Sequence, residues 1–394
     1  MEQEPRVDPW GAPYLKVGIN MYSTSQSPKS ENRIYFLDNL RTFLIFLVIA
    51  LHAGITYESS GWPAFFWIVD DPATNDLSGL VNMVLDIFIM PGMFFIAGYF
   101  APLSLGSKTQ KAFLWGKFRR IMVPWILAVF TLMPAYKAIF LYSRDLPQEN
   151  WTTYFHFSNG VFSQSWLWFL PILFMFYLLY LLVIRIQLDI SKLTFSKGFW
   201  LVALLGLLQS GIFYFFKWEG WTKIVILDFQ NEKLLIYFML FLLGALGYRR
   251  GVFTQPVKSK SLFHTINATS WIPILAYIAF FLYPYIKPGS FVISESMDPY
   301  LIKLFFHLSL IALLYSTFMT FRIYLNKTSA WIAELNANAY GVYILHLIVL
   351  GLIATLLLHV DIGSKSKYLI LIVTTFLVSN VLVSSYRWIK TRTN

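Results

Sequence analysis

An arginine and a histidine interrupt one long apolar stretch of the sequence, residues 33–57. Arg41 and His52 are eleven residues apart, which on an α-helix returns to within about 20° of the same direction after a rise of roughly 16 Å. Ionisable side chains inside a membrane-spanning segment are costly and are functional candidates by default. A snorkelling arginine and a histidine bonded to a neighbouring helix would give the same pattern, so the pair alone leaves both interpretations open.

A second apolar stretch carries a carboxylate, Asp86, followed by Pro91 and Gly92. In the functional interpretation Asp86 orients or charges a neighbour such as His52. In the structural interpretation it is a hydrogen-bonded residue at a helix contact that small residues bring close. The first interpretation makes Asp86 part of the catalytic group.

A third apolar stretch contains Tyr340, Tyr343 and His346 at intervals of three, so these side chains follow one side of a helix. Two phenols and an imidazole on one side of a spanning helix predict the lining of a substrate passage. The chain has no cysteine, which excludes thiolate nucleophiles and leaves histidine as the natural general base.

Two further clusters have two interpretations each. Lys117, Arg119 and Arg120 stand where a spanning helix is predicted to begin, and such a cluster suits either phosphate groups or anionic lipid headgroups. Trp166 and Trp168 stand where another helix is predicted to begin at the outer surface. They fit an interfacial aromatic belt, and they also fit a platform on which a sugar ring stacks.

These motifs together resemble the acyltransferase-3 family of integral membrane O-acyltransferases. The resemblance rests on Arg41 and His52 and on four segments in the same order: FFIAGYF (94–100), FRRIMVP (118–124), SWLWFLP (165–171) and AYGVYILH (339–346). The opening YFLDNLRTFLIFLVIALH is most similar to the branch that succinylates periplasmic glucans.

The resemblance implies an acyl-CoA donor on the cytoplasmic side, a glycan hydroxyl as acceptor on the outer side, and a bacterial inner membrane. It implies acyl transfer, succinylation or O-acetylation, with no permanently bound cofactor and no metal. The family's motif of two basic residues before the third helix falls on Lys117 and Arg120. The first of these is usually arginine in the family, so Lys117 puts a point charge where a planar guanidinium would stand. We expect His52 to act as base or acyl carrier, while Arg41 and the basic cluster hold the donor.

A different class of function uses the same intramembrane charges. A transporter or flippase for a polar or lipid-linked solute would employ them as a relay, although the sequence shows no inverted repeat or matched broken helices. A membrane sensor or scaffold would leave Arg41, His52 and Asp86 without a purpose. Binding of acyl-CoA to the purified protein would separate the first two classes.

The elements that position these residues are membrane-spanning helices. Of the 394 residues 57% are hydrophobic and only 13% are charged, whereas a soluble domain carries about a quarter charged residues. The fold class is therefore all-α, a polytopic helical bundle. Ten apolar runs predict its spans, near 36–57, 79–103, 119–142, 163–185, 199–216, 233–249, 267–286, 300–321, 338–359 and 368–388.

The charges of the connections predict the orientation of the bundle. Connection 58–78 contains four acidic residues and no basic one, whereas 104–118 contains lysines and no acid. By the positive-inside rule both termini are cytoplasmic, and the net charge of +11 implies no nucleic-acid partner. We divide the chain into a polar lead-in (1–32), a single transmembrane acyltransferase domain (33–388) and a short basic tail (389–394).

Overall fold

The helices of the structure, a computed structural model, match the ten predicted spans in number and order. The structure describes residues 34–61, 63–155, 164–187, 191–224, 226–257 and 259–393. Within these residues ten helical runs are long and apolar enough to cross a membrane, which confirms an all-α polytopic bundle. The predicted lead-in, 1–32, lies outside the described residues.

The bounds of the elements are as follows. The helices are α1 Tyr35–Tyr57, α2 Pro63–Phe66, α3 Asp76–Leu105, α4 Gln110–Lys117, α5 Val123–Tyr142, α6 Phe169–Arg185, α7 Phe195–Phe215, α8 Asn231–Arg249, α9 Ser261–Thr269, α10 Trp271–Ile286, α11 Asp298–Tyr324, α12 Ala330–Leu357 and α13 Ser364–Thr393. A π-helical turn spans Phe118–Met122, and 3₁₀ turns span Trp151–Phe155 and Ser165–Trp168. Strands β1, Trp221–Lys223, and β2, Asp228–Gln230, form an antiparallel hairpin.

The third span begins earlier than predicted. Helix α4, the π-helical turn and α5 form one continuous run, Gln110–Tyr142, whose N-terminus is capped by the Thr109 side chain. The predicted start at residue 119 was wrong because the basic cluster lowers the local hydropathy without interrupting the helix. Lys117 and its neighbours therefore lie two to three turns inside the helix, and its free N-terminal amides are not beside them.

Helix α3 lies at the centre of the bundle, between α1 and α8. Its contact with α8 depends on two glycines: a Cβ on Gly98 would overlap the Phe241 carbonyl oxygen, and one on Gly244 would overlap the Phe95 carbonyl oxygen. On the α1 side, Gly92 meets a leucine side chain. Small residues thus let the backbones approach closely, as helices packed in lipid require.

Helices α1 and α12 run parallel and in fixed register. The Asn336 side chain donates to Asn39 Oδ1 at 2.8 Å and accepts from the Thr42 hydroxyl at 2.6 Å. We call the end of the bundle that holds this contact, where α1 begins, the basic end, and the other the acidic end. Helix α13 packs along α12, where Asn338 donates to Ser384 Oγ at 2.8 Å.

The segment before α6 enters the bundle from the acidic end. The Asp228 carboxylate on β2 accepts the Gln164 backbone N–H at 2.8 Å, and Gln164 Oε1 accepts the Trp125 indole N–H at 3.2 Å. Trp125 lies 15 residues into the third span, so Gln164 is held about halfway along that helix. Burial raises the pKa of the Asp228 carboxyl, and the bond from Gln164 acts against this rise.

Candidate active site

Two histidines from helices distant in the sequence meet inside the bundle. His52 Nδ1 on α1 lies 2.8 Å from His346 Nε2 on α12, and the two rings are coplanar to within 2°. The contact is ten residues further along both helices than the Thr42–Asn336 bond, so the same parallel register produces both. His52 is 17 residues into α1, about 26 Å from the start of the helix.

The two histidines differ in exposure. His346 is completely buried, with 0% of its surface exposed, whereas His52 is half-buried and keeps accessible surface. His346 Nδ1 faces the Tyr343 carbonyl oxygen one turn earlier on α12, at 2.7 Å. A line of hydrogen bonds therefore runs from the backbone of α12 through His346 to His52, and of the two residues only His52 keeps accessible surface.

The acidic end of the site is covered by the connection that follows α1. The Trp67 ring of this connection lies over His52, with 5.3 Å between centroids. Helix α5 and the residues after it hold the connection in place: Tyr136 donates to the Phe66 carbonyl oxygen at 2.6 Å and Arg144 to the Trp67 carbonyl oxygen at 2.9 Å. Burial lowers the pKa of the Arg144 guanidinium.

The re-entering segment before α6 forms a second wall. The Trp166 indole N–H donates to the Ile344 carbonyl oxygen at 3.0 Å, and the Tyr343 hydroxyl donates to the Trp166 carbonyl oxygen. The Trp166 ring meets His346 edge-on, with 6.5 Å between centroids. Trp166 is only 3% exposed, so of its two interpretations the interfacial belt does not hold: the chain returns into the bundle before α6 begins.

The predicted arginine lies on the same side of α1 as His52. Arg41 donates to the Asn336 carbonyl oxygen at 3.3 Å and pairs with Asp38 at 3.4 Å. It therefore contacts the same helix, α12, as His52 does, but at the basic end of the bundle.

The remaining aromatic candidates lie away from the two histidines. Tyr340 is exposed and stands nearer the basic end of α12 than Tyr343 does. Trp168 packs edge-on against Trp221 of β1, with 5.8 Å between centroids. The predicted substrate lining thus separates into two groups, of which Trp166, Tyr343 and His346 surround the centre.

The predicted carboxylate has a different partner from the expected one. Asp86 accepts from Lys233 Nζ on α8 at 2.5 Å, because this face of α3 is turned toward α8. The bonded neighbour of His52 is His346 instead. Asp86 is 52% exposed while Lys233 is 11% exposed, so the pair lies at the edge of the bundle and not in its centre.

The predicted donor-binding cluster lies toward the basic end. The Lys117 ammonium sits over the Tyr177 ring of α6, 4.0 Å from its centroid. Arg119 and Arg120 are exposed on the same turn of the third span. The three cations therefore belong to one stretch of the third span, at the end opposite to the Trp67 connection, with Lys117 turned toward α6 and the two arginines exposed.

Trp67 and Tyr136 belong to the site and were not predicted. The signal that could have found Trp67 is the run FFWIV (65–69) inside the acidic connection. So apolar a loop must fold back against the bundle to bury its side chains. Tyr136 carries no comparable signal, since it is one aromatic residue within an apolar helix.

Comparison with known proteins identifies the family. The sequence profile of the acyltransferase-3 family, described as an acyltransferase domain, matches residues 34–384. The chain belongs to this family. All the residues of the candidate site described above lie within the matched range, and the prediction of the family from sequence motifs is confirmed.

Two curated relatives of this acyltransferase-3 chain share one name. Glucans biosynthesis protein C of Escherichia coli O81 (strain ED1a) is 26% identical over 255 residues, which is 60% of this chain and 64% of the relative. The protein of the same name from Salmonella schwarzengrund (strain CVM19633) is 28% identical over 145 residues, 36% of each chain. The match thus covers less than two thirds of these relatives' length. No solved structure matches the chain.

Proposed function

We propose that the protein is a membrane O-acyltransferase that moves an acyl group, succinyl or acetyl, from acyl-CoA to a glycan hydroxyl. The observation that carries the proposal is the half-buried His52, held on the buried His346 inside a bundle of the acyltransferase-3 family. The acceptor class is suggested by relatives named for glucan biosynthesis. With no cysteine in the chain, histidine supplies the base.

The reaction needs a group that takes the proton of the acceptor hydroxyl, and we assign this role to His52. Nε2 of His52 takes the proton of the acceptor hydroxyl, and the oxygen attacks the thioester carbonyl carbon. The carbon–sulfur bond then breaks, and the departing thiolate of coenzyme A takes the proton from His52. In the other route Nε2 attacks the carbonyl carbon and expels the thiolate; the acceptor oxygen then displaces the imidazole, and its proton passes to the thiolate.

The donor enters from the basic end, which we assign to the cytoplasmic side of a bacterial inner membrane. Lys117, Arg119 and Arg120 would bind its phosphates together with Arg41. Arg41 and His52 are separated by a rise of roughly 16 Å along α1, so the donor's acyl end must extend far into the bundle. The acceptor approaches from the acidic end, past the connection that follows α1.

Mass spectrometry of envelope glycans tests the proposal. We compare cells lacking the gene with cells restored with wild type, His52→Ala, or His359→Ala, a control histidine that is exposed at the acidic end. We expect a succinyl or acetyl ester to vanish on deletion and to return with wild type and the control only. Ester restored by His52→Ala would contradict the role of His52, and glycans unchanged by deletion would favour solute transport.

A further inference from the structure

The hydrogen bonds of His346 determine which of its nitrogens carries hydrogen. The Tyr343 carbonyl oxygen, 2.7 Å from His346 Nδ1, has only lone pairs and accepts. His346 Nδ1 is therefore the protonated nitrogen. A neutral imidazole carries one N–H, so His346 Nε2 presents a lone pair toward His52.

The lone pair on His346 Nε2 in turn determines which nitrogen of His52 carries hydrogen. His52 Nδ1 lies 2.8 Å from the lone pair of His346 Nε2 and therefore donates its hydrogen to it. The rings are coplanar to within 2°, so the N–H of one points along the lone pair of the other. His52 Nε2 is then the unprotonated nitrogen. His52 is half-buried and His346 is completely buried, so this bare nitrogen belongs to the one residue of the pair that keeps accessible surface.

We propose that His346 is a positioning residue that fixes the tautomer of His52, so that Nε2 of His52 is the atom that takes the acceptor's proton. The inference rests on the proposed function and deepens it. When His52 becomes an imidazolium, its Nδ1–H donates a stronger, charge-assisted bond to the Nε2 lone pair of His346. His346 itself touches neither donor nor acceptor.

Hydrogen bonds between α12 and the segment before α6 hold the backbone around His346 in place. The Tyr343 hydroxyl is tied to the Trp166 carbonyl, and the Trp166 indole is tied to the Ile344 carbonyl one residue further on α12. These bonds fix the turn of α12 that supplies the accepting carbonyl to His346. With the ring of His346 buried at 0% exposure, no water competes for either of its nitrogens.

Two substitutions separate positioning from packing. His346→Gln keeps a polar acceptor for the His52 N–H, whereas His346→Leu keeps bulk but removes the acceptor. We expect kcat of the leucine variant to fall by about 10²- to 10⁴-fold, the range in which loss of the correct tautomer costs a base histidine its function. KM for acyl-CoA stays within a few-fold, and the glutamine variant retains at least about tenfold more activity than the leucine variant.

A packing role predicts the opposite order, because leucine suits a completely buried position better than glutamine does. Activity of the leucine variant equal to or above that of the glutamine variant would overturn the proposal. Both variants are first compared with wild type for monodispersity and thermal unfolding in nanodiscs, so that loss of folding is recognised separately.

A second measurement needs no activity. The six histidines of the chain are labelled with ¹⁵N in nanodiscs, and the His52 signals are found by their absence from His52→Gln. We expect His52 to carry hydrogen on Nδ1 and a bare Nε2 in wild type, and to lose this preference in His346→Leu. Hydrogen on Nε2 in wild type overturns the inference. The expected tautomer in a protein that transfers no acyl group would refute the proposed function alone.

Discussion

A buried ion pair closes the acidic end of the bundle, and its removal has a calculable effect. Lys367 Nζ on α13 lies 2.9 Å from Asp71 Oδ2 in the connection that carries Trp67, and the two side chains are 3% and 1% exposed. Lys367→Met leaves the Asp71 carboxylate buried with the Ala73 backbone N–H, at 2.9 Å, as a remaining donor. Breaking such a pair from one side costs about 3–5 kcal/mol of the free energy of unfolding.

We expect removal of both charges together to cost less stability than removal of either one. Asp71→Leu with Lys367→Met removes both charges and leaves the Ala73 N–H without its acceptor, a cost of about 1–3 kcal/mol. We therefore expect the double variant to be more stable than either single variant. This reversal distinguishes an unpaired buried charge from a simple loss of contacts, whose costs would add.

The assay is a double-mutant cycle on protein purified in mixed micelles, unfolded reversibly with increasing dodecyl sulfate and followed by tryptophan fluorescence. The control is Glu334→Gln, which removes one charge from the pair with Arg387, whose side chains are 47% and 41% exposed, and leaves the bond from Arg387 to Asn338 in place; it should cost at most about 1 kcal/mol. A double variant less stable than both singles, or single variants no worse than the control, would refute the reasoning.

Three further predictions concern packing, access and the donor. Gly98→Ala, whose Cβ would overlap the Phe241 carbonyl, should lower stability by at least about 2 kcal/mol in the same unfolding assay, while Gly116→Ala, with open space around it, should change it by no more than about 1 kcal/mol. Equal effects of the two would contradict the close approach of α3 and α8. Trp67→Ala should raise hydrolysis of acyl-CoA relative to transfer, because the ring over the half-buried histidine keeps water out, and an unchanged ratio of the two products would argue against this. Lys117→Met should raise KM for acyl-CoA at least about threefold while kcat changes less, measured by steady-state transfer, and an unaltered KM would remove it from the donor site.

The apolar runs of the sequence were enough to find the spans but not to place all of their ends. Apolar runs located all ten helices, because each must present hydrocarbon-compatible surface over most of its length. The third span was predicted too short because its basic cluster resembles a loop in composition. The helix in fact begins at Gln110, where the Thr109 side chain caps it, and it continues through the cluster without a break.

For the candidate site, the spacing of residues predicts which side chains share one helix face but not which other helix they contact. The spacing of Arg41 and His52 predicts one face of α1, and both side chains do contact α12. The partner of His52 was not predictable, since which helix packs against α1, and in which register, depends on residues 294 positions away. Trp166 was assigned to the membrane surface because nothing in its own segment indicates that the chain re-enters the bundle.

The register of α1 and α12 links these two observations. Asn336 bonds both Asn39 and Thr42 at the basic end, and ten residues further along the same two helices His52 meets His346. The pairing difference of 294 residues is the same at Thr42–Asn336 and at His52–His346. The side-chain hydrogen bonds of Asn336, ten residues away from the histidines, therefore help to determine whether the two imidazoles face each other. A shift of one residue would turn either ring by about 100° and break the contact. His52 and His346 are therefore each visible in the sequence, whereas their pairing is a property of the packed helices.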